Sequence, residues 1–194
     1  MENISIATIR EVDRDKALDT LLLGFSTDPL GRWFSADAST YLQSRIAFNA
    51  FAGRAIDFGS AFASNNFEGV SCWLPPGEEP DEETLMSELQ RLCDETIIDE
   101  VMQVFEAMST YHPQEPCWYL PMIAVDPNYQ GMGIGAQLMK HALAVIDEQR
   151  APAYLESSNL KNVSLYERHG FEQMGQIQIG GSPIVTPMIR QARA

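Results

Sequence analysis

The sequence predicts a single α/β domain, and two observations support this prediction. First, a chain of 194 residues suits one domain that buries a sizeable core without disulfide or metal staples. Second, the chain contains both segments with a strand pattern and segments with a helical pattern, bounded by glycine and proline. Hydrophobic residues make up 45% and charged residues 21% of the chain, which are ordinary values for a globular protein.

The N-terminal half contains strand-like and helix-like segments that do not alternate. The predicted elements are a strand at 5–11, a helix from Asp13 as N-cap to about residue 25, a helix at 40–54 and a β-hairpin of 60–64 with 69–74. An acidic cluster around Pro80 then precedes a helical pattern that continues toward Met108. Because acidic residues in a first turn complement the helix dipole, we interpret this cluster as a helix start and not as a substrate site.

The central segment predicts a buried strand, a glycine-rich turn and an amphipathic helix. Residues 118–125 form a nearly continuous apolar run, which is typical of a strand covered on both faces. Pro121 removes one donor from this strand and so predicts a bulge or a splay. The run Gln130-Gly131-Met132-Gly133-Ile134-Gly135-Ala136 opens the helix. The remaining elements are predicted as a strand at 153–156, a helix at 162–169 and β segments at 173–179 and 184–190.

The charge and the cysteine pattern argue against several functions. Counting 13 Lys and Arg against 27 Asp and Glu gives a net charge of −14, which disfavours nucleic acid and anionic membranes as partners. No stretch approaches the ~20 apolar residues of a membrane span. Cys72, Cys93 and Cys117 lack the spacing of a metal site or of a disulfide framework. We therefore expect no metal, and three buried, reduced thiols in a cytoplasmic protein.

The glycine-rich turn predicts a binding site for a phosphorylated cofactor. Free N–H groups converge at the start of a helix, and glycines let a ligand approach the main chain. The pattern Gly131-x-Gly133-x-x-Ala136, with Glu156 twenty positions later, also matches a dinucleotide fingerprint. Three features argue against that interpretation: the turn does not follow its strand directly, the residues before Cys117 do not alternate strand and helix, and too few residues follow Glu156 to complete a doubly wound sheet. A glycine-rich helix start without any ligand stays an alternative.

Two motifs resemble signatures of the GNAT N-acetyltransferase superfamily. The run Gln130-Gly131-Met132-Gly133-Ile134-Gly135 is similar to its Q/R-x-x-G-x-G/A loop, and the segment from Asn159 to Phe171 is similar to its N-x(6)-Y-E-x-x-G-F segment. The similarity is strong from about 117 to 190 and thin before 69. Within it, the runs at 69–77, 156–159 and 181–188 resemble the branch that contains puromycin N-acetyltransferase.

This resemblance implies a fold and a cosubstrate. The fold is one domain over residues 1–194, with a mixed, mostly antiparallel sheet flanked by helices and splayed in its middle, and its cofactor-binding core spans about 117–171. The cosubstrate is acetyl-CoA, whose pantetheine arm pairs with the central strand and whose pyrophosphate lies on the amides of the glycine-rich turn. The implied cofactor-binding residues are Ile123, Ala124, Val125, Gln130, Gly131, Met132, Gly133, Ile134, Gly135, Ala136 and Asn159.

The resemblance also implies acetyl transfer to a primary amine of a small molecule, by direct attack through a tetrahedral intermediate. Tyr166 is the candidate general acid, because its unperturbed pKa of about 10 is close to that of an alkyl thiol. Glu156 is the candidate base for the amine proton, directly or through water, and other acids, Asp28 included, stay candidates.

One position departs from the family pattern. Met132 stands where the family often has arginine or lysine, so a side-chain contact to phosphate is missing there. Lys140 and Lys161 are candidates to supply that charge. The amide cradle itself needs no side chain.

The sequence leaves the acceptor and the assembly open. Phe25, Trp33 and Phe34 are candidate walls of an acceptor pocket. Aminonucleosides, polyamines, small metabolites and protein N-termini are all compatible amines, and no pattern gives an oligomeric state. Two rival functions also stay open: a non-catalytic acyl-CoA-binding regulatory domain on the same fold, and a dinucleotide-binding protein.

Overall fold

Seven strands form one sheet at the centre of the molecule, which the computed structural model describes for residues 4–193. The strands are β1 (Ile6–Thr8), β2 (Ala61–Ser64), β3 (Gly69–Leu74), β4 (Trp118–Val125), β5 (Ala153–Ser157), β6 (Glu172–Gln173) and β7 (Thr186–Arg190). Their order in the sheet is β1-β2-β3-β4-β5-β7-β6. Among these strands only β4 and β5 pair in parallel, and the other neighbours are antiparallel. The mixed, mostly antiparallel sheet that the sequence predicts is confirmed.

Helices cover both faces of this sheet. They are α1 (Arg14–Gly24), α2 (Pro29–Phe34), α3 (Ala38–Tyr41), α4 (Arg45–Ala52), α5 (Arg54–Asp57), α6 (Glu82–Leu92), α7 (Ile98–Tyr111), α8 (Ile134–Glu148) and α9 (Leu160–Arg168). On one face α1 buries Leu18 and Leu21 in the same core as Tyr154 of β5. On the other face α8 buries Leu138 in the same core as Leu155. Because side chains alternate along a strand, β5 supplies residues to both cores.

The helical region between β1 and β4 differs most from the prediction. A short helix that was not predicted, α2, begins at Pro29 between the two predicted helices. The Asp28 carboxylate caps this helix by accepting hydrogen bonds from the N–H groups of Leu30 and Gly31, both at 3.0 Å. Proline is compatible with the first turn, because the N–H group that it lacks would have no partner within the helix. The single helix predicted at 40–54 is three short helices, α3, α4 and α5. The helical pattern toward Met108 is divided between α6 and α7.

The ends of several helices and strands also differ from the prediction. The acidic cluster begins α6 as predicted, and the Asp81 carboxylate caps that helix by accepting the N–H group of Thr84 at 3.1 Å. Asp13 precedes α1 as predicted, but its carboxylate binds neighbouring basic side chains and does not cap the helix. β1 is shorter than the predicted strand, and the segment predicted as a strand at 173–179 contains only the end of β6 and an isolated bridge from Ile177 to Val185.

A bulge in β4 separates its second half from β5. The pairing of β4 with β3 shifts register between Cys72 and Leu74, opposite the segment that contains Pro121. The parallel pairing of β4 with β5 ends at Leu120, one residue before this proline. Because proline has no N–H group to donate, the ladder toward β5 cannot continue through it. The splay that Pro121 predicts is therefore confirmed.

The direction of the main-chain groups in β4 reverses across the bulge. The N–H group of Trp118 donates to a carbonyl next to β5 at 2.9 Å, whereas that of Asp126 donates to a carbonyl next to β3 at 2.8 Å. In an unbroken strand the direction of the N–H group alternates from residue to residue, so residues an even number of positions apart point the same way. Trp118 and Asp126 are such a pair, yet their N–H groups point to opposite sides. Beyond the bulge, Ile123 and Val125 therefore direct their N–H groups into the gap between β4 and β5, and Ala124 directs its N–H group toward β3.

Arg190 ties β7 to the ends of α8 and α9. Its guanidinium group, only 2% exposed, donates to both carboxylate oxygens of Asp147 at 2.7 and 2.8 Å. It also donates to the carbonyl of His169 at 3.0 Å. A buried guanidinium group needs such partners because it has lost its water. This group therefore fixes the two helices that border the gap.

We expect Arg190→Leu to lower the free energy of unfolding by about 3 kcal/mol, because the substitution leaves Asp147 without its partner. Urea unfolding measures this change. Arg10→Leu is the matched control, since it removes an exposed ion pair with Asp13 and should change stability by less than about 0.5 kcal/mol. Equal stability of the two variants would contradict the anchoring role of Arg190.

Candidate active site

A cavity of about 790 Å³ includes the gap between β4 and β5. Its walls come from three regions: the end of β4 with the glycine-rich turn, the end of β5 with α9, and the helices α2, α4, α6 and α7. Every predicted cofactor-binding and catalytic residue lines this cavity except Met132. Of the predicted acceptor walls, Phe25 and Phe34 line it and Trp33 does not. The side chain of Met132 is 65% exposed. The structure therefore brings the two sequence motifs to one place.

The glycine-rich turn forms a cradle of main-chain N–H groups at the start of α8. Gly131 and Gly133 have φ values of +77° and +88°, a conformation that favours glycine. A Cβ atom at either position would have no neighbour within 4 Å, so the space beside the main chain is open to a ligand. Within residues 4–193, the N–H groups from Gly131 to Ala136 have no hydrogen-bond partner. Such amides at a helix start form an anion-binding site.

Cationic side chains reach the cavity from α9. Lys161 and Arg168 both line it, whereas Lys140 does not. Lys161 is thus the only one of the two predicted lysines that lies at the site. Arg168 was not predicted, although it follows Lys161 by seven residues. This spacing places both side chains on one face of a helix and is the signal that would have identified Arg168.

Two amide side chains hold the loops that follow β4 and β5. Nε2 of Gln130 donates to the carbonyl of Val125 at 3.1 Å and ties the glycine-rich turn to the end of β4. Oδ1 of Asn159 accepts the N–H group of Lys161 at 3.1 Å. This cap starts α9 two residues before the predicted helix. Both residues thus have a local structural role, and their contact with a cofactor stays a prediction.

Glu156 lies at the end of β5 beside the hydroxyl groups of Tyr119 and Tyr154. Burial raises the pKa of Glu156 to about 7, although the two hydroxyl groups act in the opposite direction. The ring of His112 packs edge-on against both tyrosine rings, with centroid distances of 5.1 and 4.8 Å. A carboxyl group with this pKa is partly ionised at neutral pH and can accept a proton there.

Tyr166 of α9 lies at the cavity with its ring packed against Phe171 at 6.3 Å. Burial, with a smaller effect from the charge of Asp28, raises the pKa of Tyr166 well above its usual value of 10. Burial thus moves the pKa of Tyr166 away from the near match with an alkyl thiol that its unperturbed value suggests. A protonated phenol can donate a hydrogen bond, and the role of Tyr166 as general acid stays a prediction.

Asp28 is a second carboxylate at the cavity, and it is 7% exposed. Besides capping α2, it accepts a hydrogen bond from the hydroxyl group of Ser158 at 2.7 Å. Burial raises the pKa of Asp28, although its hydrogen bonds oppose this effect. This bond joins the start of α2 to the loop after β5. Sequence reasoning did not identify Ser158, because nothing in the sequence indicates that residues so far apart meet.

Residues 4–193 contain no group of three or more His, Cys, Asp and Glu side chains placed to hold a metal ion. No helix in that range combines the length and the apolar character needed to cross a membrane.

Comparison with known proteins assigns the family. The Acetyltransferase (GNAT) family matches residues 71–171, just over half of the chain. An uncharacterized N-acetyltransferase of Schizosaccharomyces pombe is 26% identical over 174 residues, which cover 82% of this chain and 70% of that protein. The chain therefore belongs to the GNAT acetyltransferase family, a class of enzymes that typically uses acetyl-CoA as cosubstrate.

Solved structures share the fold. The histone acetyltransferase HPA2 and related acetyltransferase from Corynebacterium glutamicum matches with a TM-score of 0.72 and 21% identity, covering 98% of this chain and 97% of that chain. Arylalkylamine N-acetyltransferase 2 from Aedes aegypti matches with a TM-score of 0.70 and 12% identity, covering 99% and 100% of the two chains. The protein is an N-acetyltransferase by class. A dinucleotide-binding fold does not fit this sheet, which has one parallel pair among the described strands.

The raised pKa of Glu156 predicts how stability changes with pH. The pKa is about 7 in the folded protein, against 4.5 for an ordinary glutamate. Between these values the folded state binds more protons than the unfolded state, so this residue makes the free energy of unfolding fall as pH rises from about 4.5 to about 7. We expect Glu156→Gln, which cannot ionise, to be more stable than wild type above pH 7, with the difference shrinking toward pH 4.5.

Thermal unfolding of the unliganded protein across this pH range measures the difference. Glu172→Gln, at an exposed position of β6, controls for the loss of one negative charge and should not reproduce the pH dependence. Parallel curves for wild type and Glu156→Gln would show that Glu156 titrates like an exposed carboxylate.

Proposed function

We propose that this protein transfers the acetyl group of acetyl-CoA directly to a primary amine of a small molecule. The observation that carries the proposal is one cavity that joins an amide cradle, a strand that directs two N–H groups into the gap, and a carboxyl group whose pKa is about 7. An acyl-CoA with an extended arm and a charged pyrophosphate fits this arrangement, and a proton acceptor lies at the point where the arm would end.

The main chain would hold the cosubstrate. The N–H groups from Gly131 to Ala136 suit the pyrophosphate, because they combine free donors with the positive end of α8. The N–H groups of Ile123 and Val125 face the gap and suit the pantetheine arm as an added strand. Ala124 would contribute side-chain contact only, since its N–H group is directed toward β3. Acetyl-CoA supplies an activated thioester, and these donors orient it and stabilise negative charge on its carbonyl oxygen.

Glu156 would accept the proton of the attacking amine. A primary amine arrives mostly as an ammonium ion, and only the neutral form attacks. A base is most effective when its pKa is close to the working pH, and burial brings Glu156 to this range. Asp28 is the second carboxylate at the cavity. Its oxygens are already bound by Ser158 and by the start of α2, so we assign it to holding the site and not to the proton transfer.

The hydroxyl group of Tyr166 would donate a hydrogen bond to the departing sulfur. Its raised pKa makes complete proton transfer to the thiolate less favourable than for an ordinary tyrosine. A donor that stays protonated at every working pH still stabilises the developing negative charge. The thiolate then takes its proton from water.

The proposal also includes a cellular compartment and a branch of the family. The buried thiols Cys72, Cys93 and Cys117 suit a reducing compartment such as the cytoplasm. The puromycin N-acetyltransferase branch remains a prediction from the motifs. The two solved neighbours are below 25% identity and bear names of different acceptors, so they do not choose the amine.

Release of CoA thiol from acetyl-CoA, measured with a panel of primary amines that includes puromycin, tests the proposal. Release above the rate without amine supports an acetyltransferase. A CoA-induced rise in melting temperature, with no release for any amine, would favour the non-catalytic acyl-CoA-binding domain.

Gly133 generates a prediction about cosubstrate binding. We expect Gly133→Val to weaken CoA binding by more than roughly tenfold, because a β-branched residue cannot hold the left-handed conformation that shapes the amide cradle. Titration calorimetry on variants that circular dichroism shows to be folded measures the affinity. Gly77→Val is a matched control: its φ is +85°, it also has open space around its Cβ position, and it lies outside the cavity lining.

The two glycine variants carry comparable backbone strain, so only the cradle distinguishes them. Equal CoA affinity of Gly133→Val and Gly77→Val would place the phosphate site elsewhere on the protein.

Tyr166 generates a prediction about the rate. We expect Tyr166→Phe to lower kcat by roughly 10²–10³, the usual effect of removing one donor from a developing charge. The Kd of acetyl-CoA should change little, because the substitution removes one hydroxyl group and leaves the cradle intact. Steady-state kinetics with one good amine measures kcat. Tyr111→Phe removes a hydroxyl group outside the cavity lining and serves as the control. A Tyr166→Phe enzyme with normal kcat, where chemistry limits the rate, would reduce Tyr166 to a packing residue.

A further inference from the structure

The part of the cavity formed by helices is apolar. We call it the helical lobe and define it by the side chains of Phe34, Phe48, Phe51, Leu89, Phe105 and Met108, all of which line the cavity. Phe34 and Phe105 are stacked with their ring centroids 5.7 Å apart. Phe48 meets Phe25, another lining residue, edge to face at 5.7 Å. Aromatic pairs in these geometries provide a wall suited to apolar groups and to rings.

The charged side chains of the cavity lie in other places. Lys161 and Arg168 belong to α9, and the carboxyl groups of Asp28 and Glu156 lie at the start of α2 and at the end of β5. Among the described residues, α4, α6 and α7 contribute no charged side chain to the lining. An amine whose nitrogen lies near Glu156 and whose remaining part enters the helical lobe would meet no charged side chain there. The second carboxylate of the cavity, Asp28, already accepts hydrogen bonds from Ser158 and from the start of α2.

From these observations we infer, on the basis of the proposed function, that the acceptor is a monoamine with an apolar body. Moving an unpaired ammonium group from water into the helical lobe is strongly unfavourable. A diamine or polyamine would have to do this or lose the proton of its second nitrogen, and each route weakens binding. An alkyl or aryl body gains from the same transfer, because apolar area is removed from water.

A matched set of amines tests this inference. Hexylamine and 1,6-diaminohexane have the same chain and the same reacting end, and they differ only in the distal ammonium group. We expect kcat/KM for hexylamine to exceed that for 1,6-diaminohexane by at least roughly tenfold. We expect 2-phenylethylamine to exceed the diamine by a similar factor. Equal or better turnover of the diamine would overturn the inference.

Ser44 offers a way to reverse this preference. Its side chain is buried, lines the cavity and occupies the N-cap position of α4 without making a cap hydrogen bond. Ser44→Asp adds a carboxylate to the edge of the helical lobe, at a helix start where the dipole favours a negative charge. We expect Ser44→Asp to lower the ratio of kcat/KM for hexylamine to that for the diamine by roughly tenfold.

Ser44→Asn is the matched control, because asparagine has the shape of aspartate and caps helices equally well but carries no charge. It should leave the ratio near the wild-type value. An unchanged ratio in a folded Ser44→Asp variant that still binds CoA would show that the distal end of the acceptor does not enter the helical lobe, and the inference would fail.

The same measurements separate this inference from the proposed function. If some amines are acetylated and the diamine is as good as hexylamine, the inference is wrong and the proposed function stands. If no amine releases thiol, the proposed function is wrong and the inference falls with it.

Discussion

The separation of β4 from β5 is the constraint on which the site depends. The two strands pair over three residues and then diverge at Pro121, because proline cannot donate to the ladder and the bulge turns the following N–H groups. Inside a sheet, unpaired N–H groups are unfavourable unless something else binds them. The bulge therefore creates a line of donors in the middle of the molecule, with both faces of the sheet covered around it.

The parallel direction of β4 and β5 decides what surrounds this gap. Parallel strands end at the same edge of a sheet, so the loops that follow them start side by side. The loop after β4 becomes the glycine-rich turn and α8, and the loop after β5 carries Asn159 into α9. Gln130 and Asn159 fix these loops by short side-chain bonds to their own strand end or helix start. Arg190 holds the far ends of both helices. The two motifs are thus close in space because their strands are parallel neighbours.

The sequence predicts this half of the molecule well because its signals are local. Each of these signals can be recognised from a few neighbouring residues. They are a proline in an apolar run, glycines before an amphipathic helix, and a tyrosine between Asn159 and Gly170. The helical half offers fewer such signals. Its helices are short, and contacts between distant residues stabilise them, for example the hydroxyl group of Ser158 against Asp28. The pKa changes of Glu156 and Tyr166 follow from burial, which no motif encodes.

The distribution of charge explains how one acidic protein can bind both an anionic cosubstrate and a cationic amine. The chain carries a net charge of −14, so its long-range field attracts cationic amines and repels an anionic cosubstrate. At physiological ionic strength this field is screened within about 8 Å, and binding of an anion then depends on contacts at short range. The amides from Gly131 to Ala136 on the β4 side, with Lys161 and Arg168 on α9, provide such contacts. Glu156 and Asp28 supply the carboxyl groups of the same cavity. In the proposed reaction the N–H groups and cationic side chains bind the anionic cosubstrate, and the carboxyl groups receive the amine.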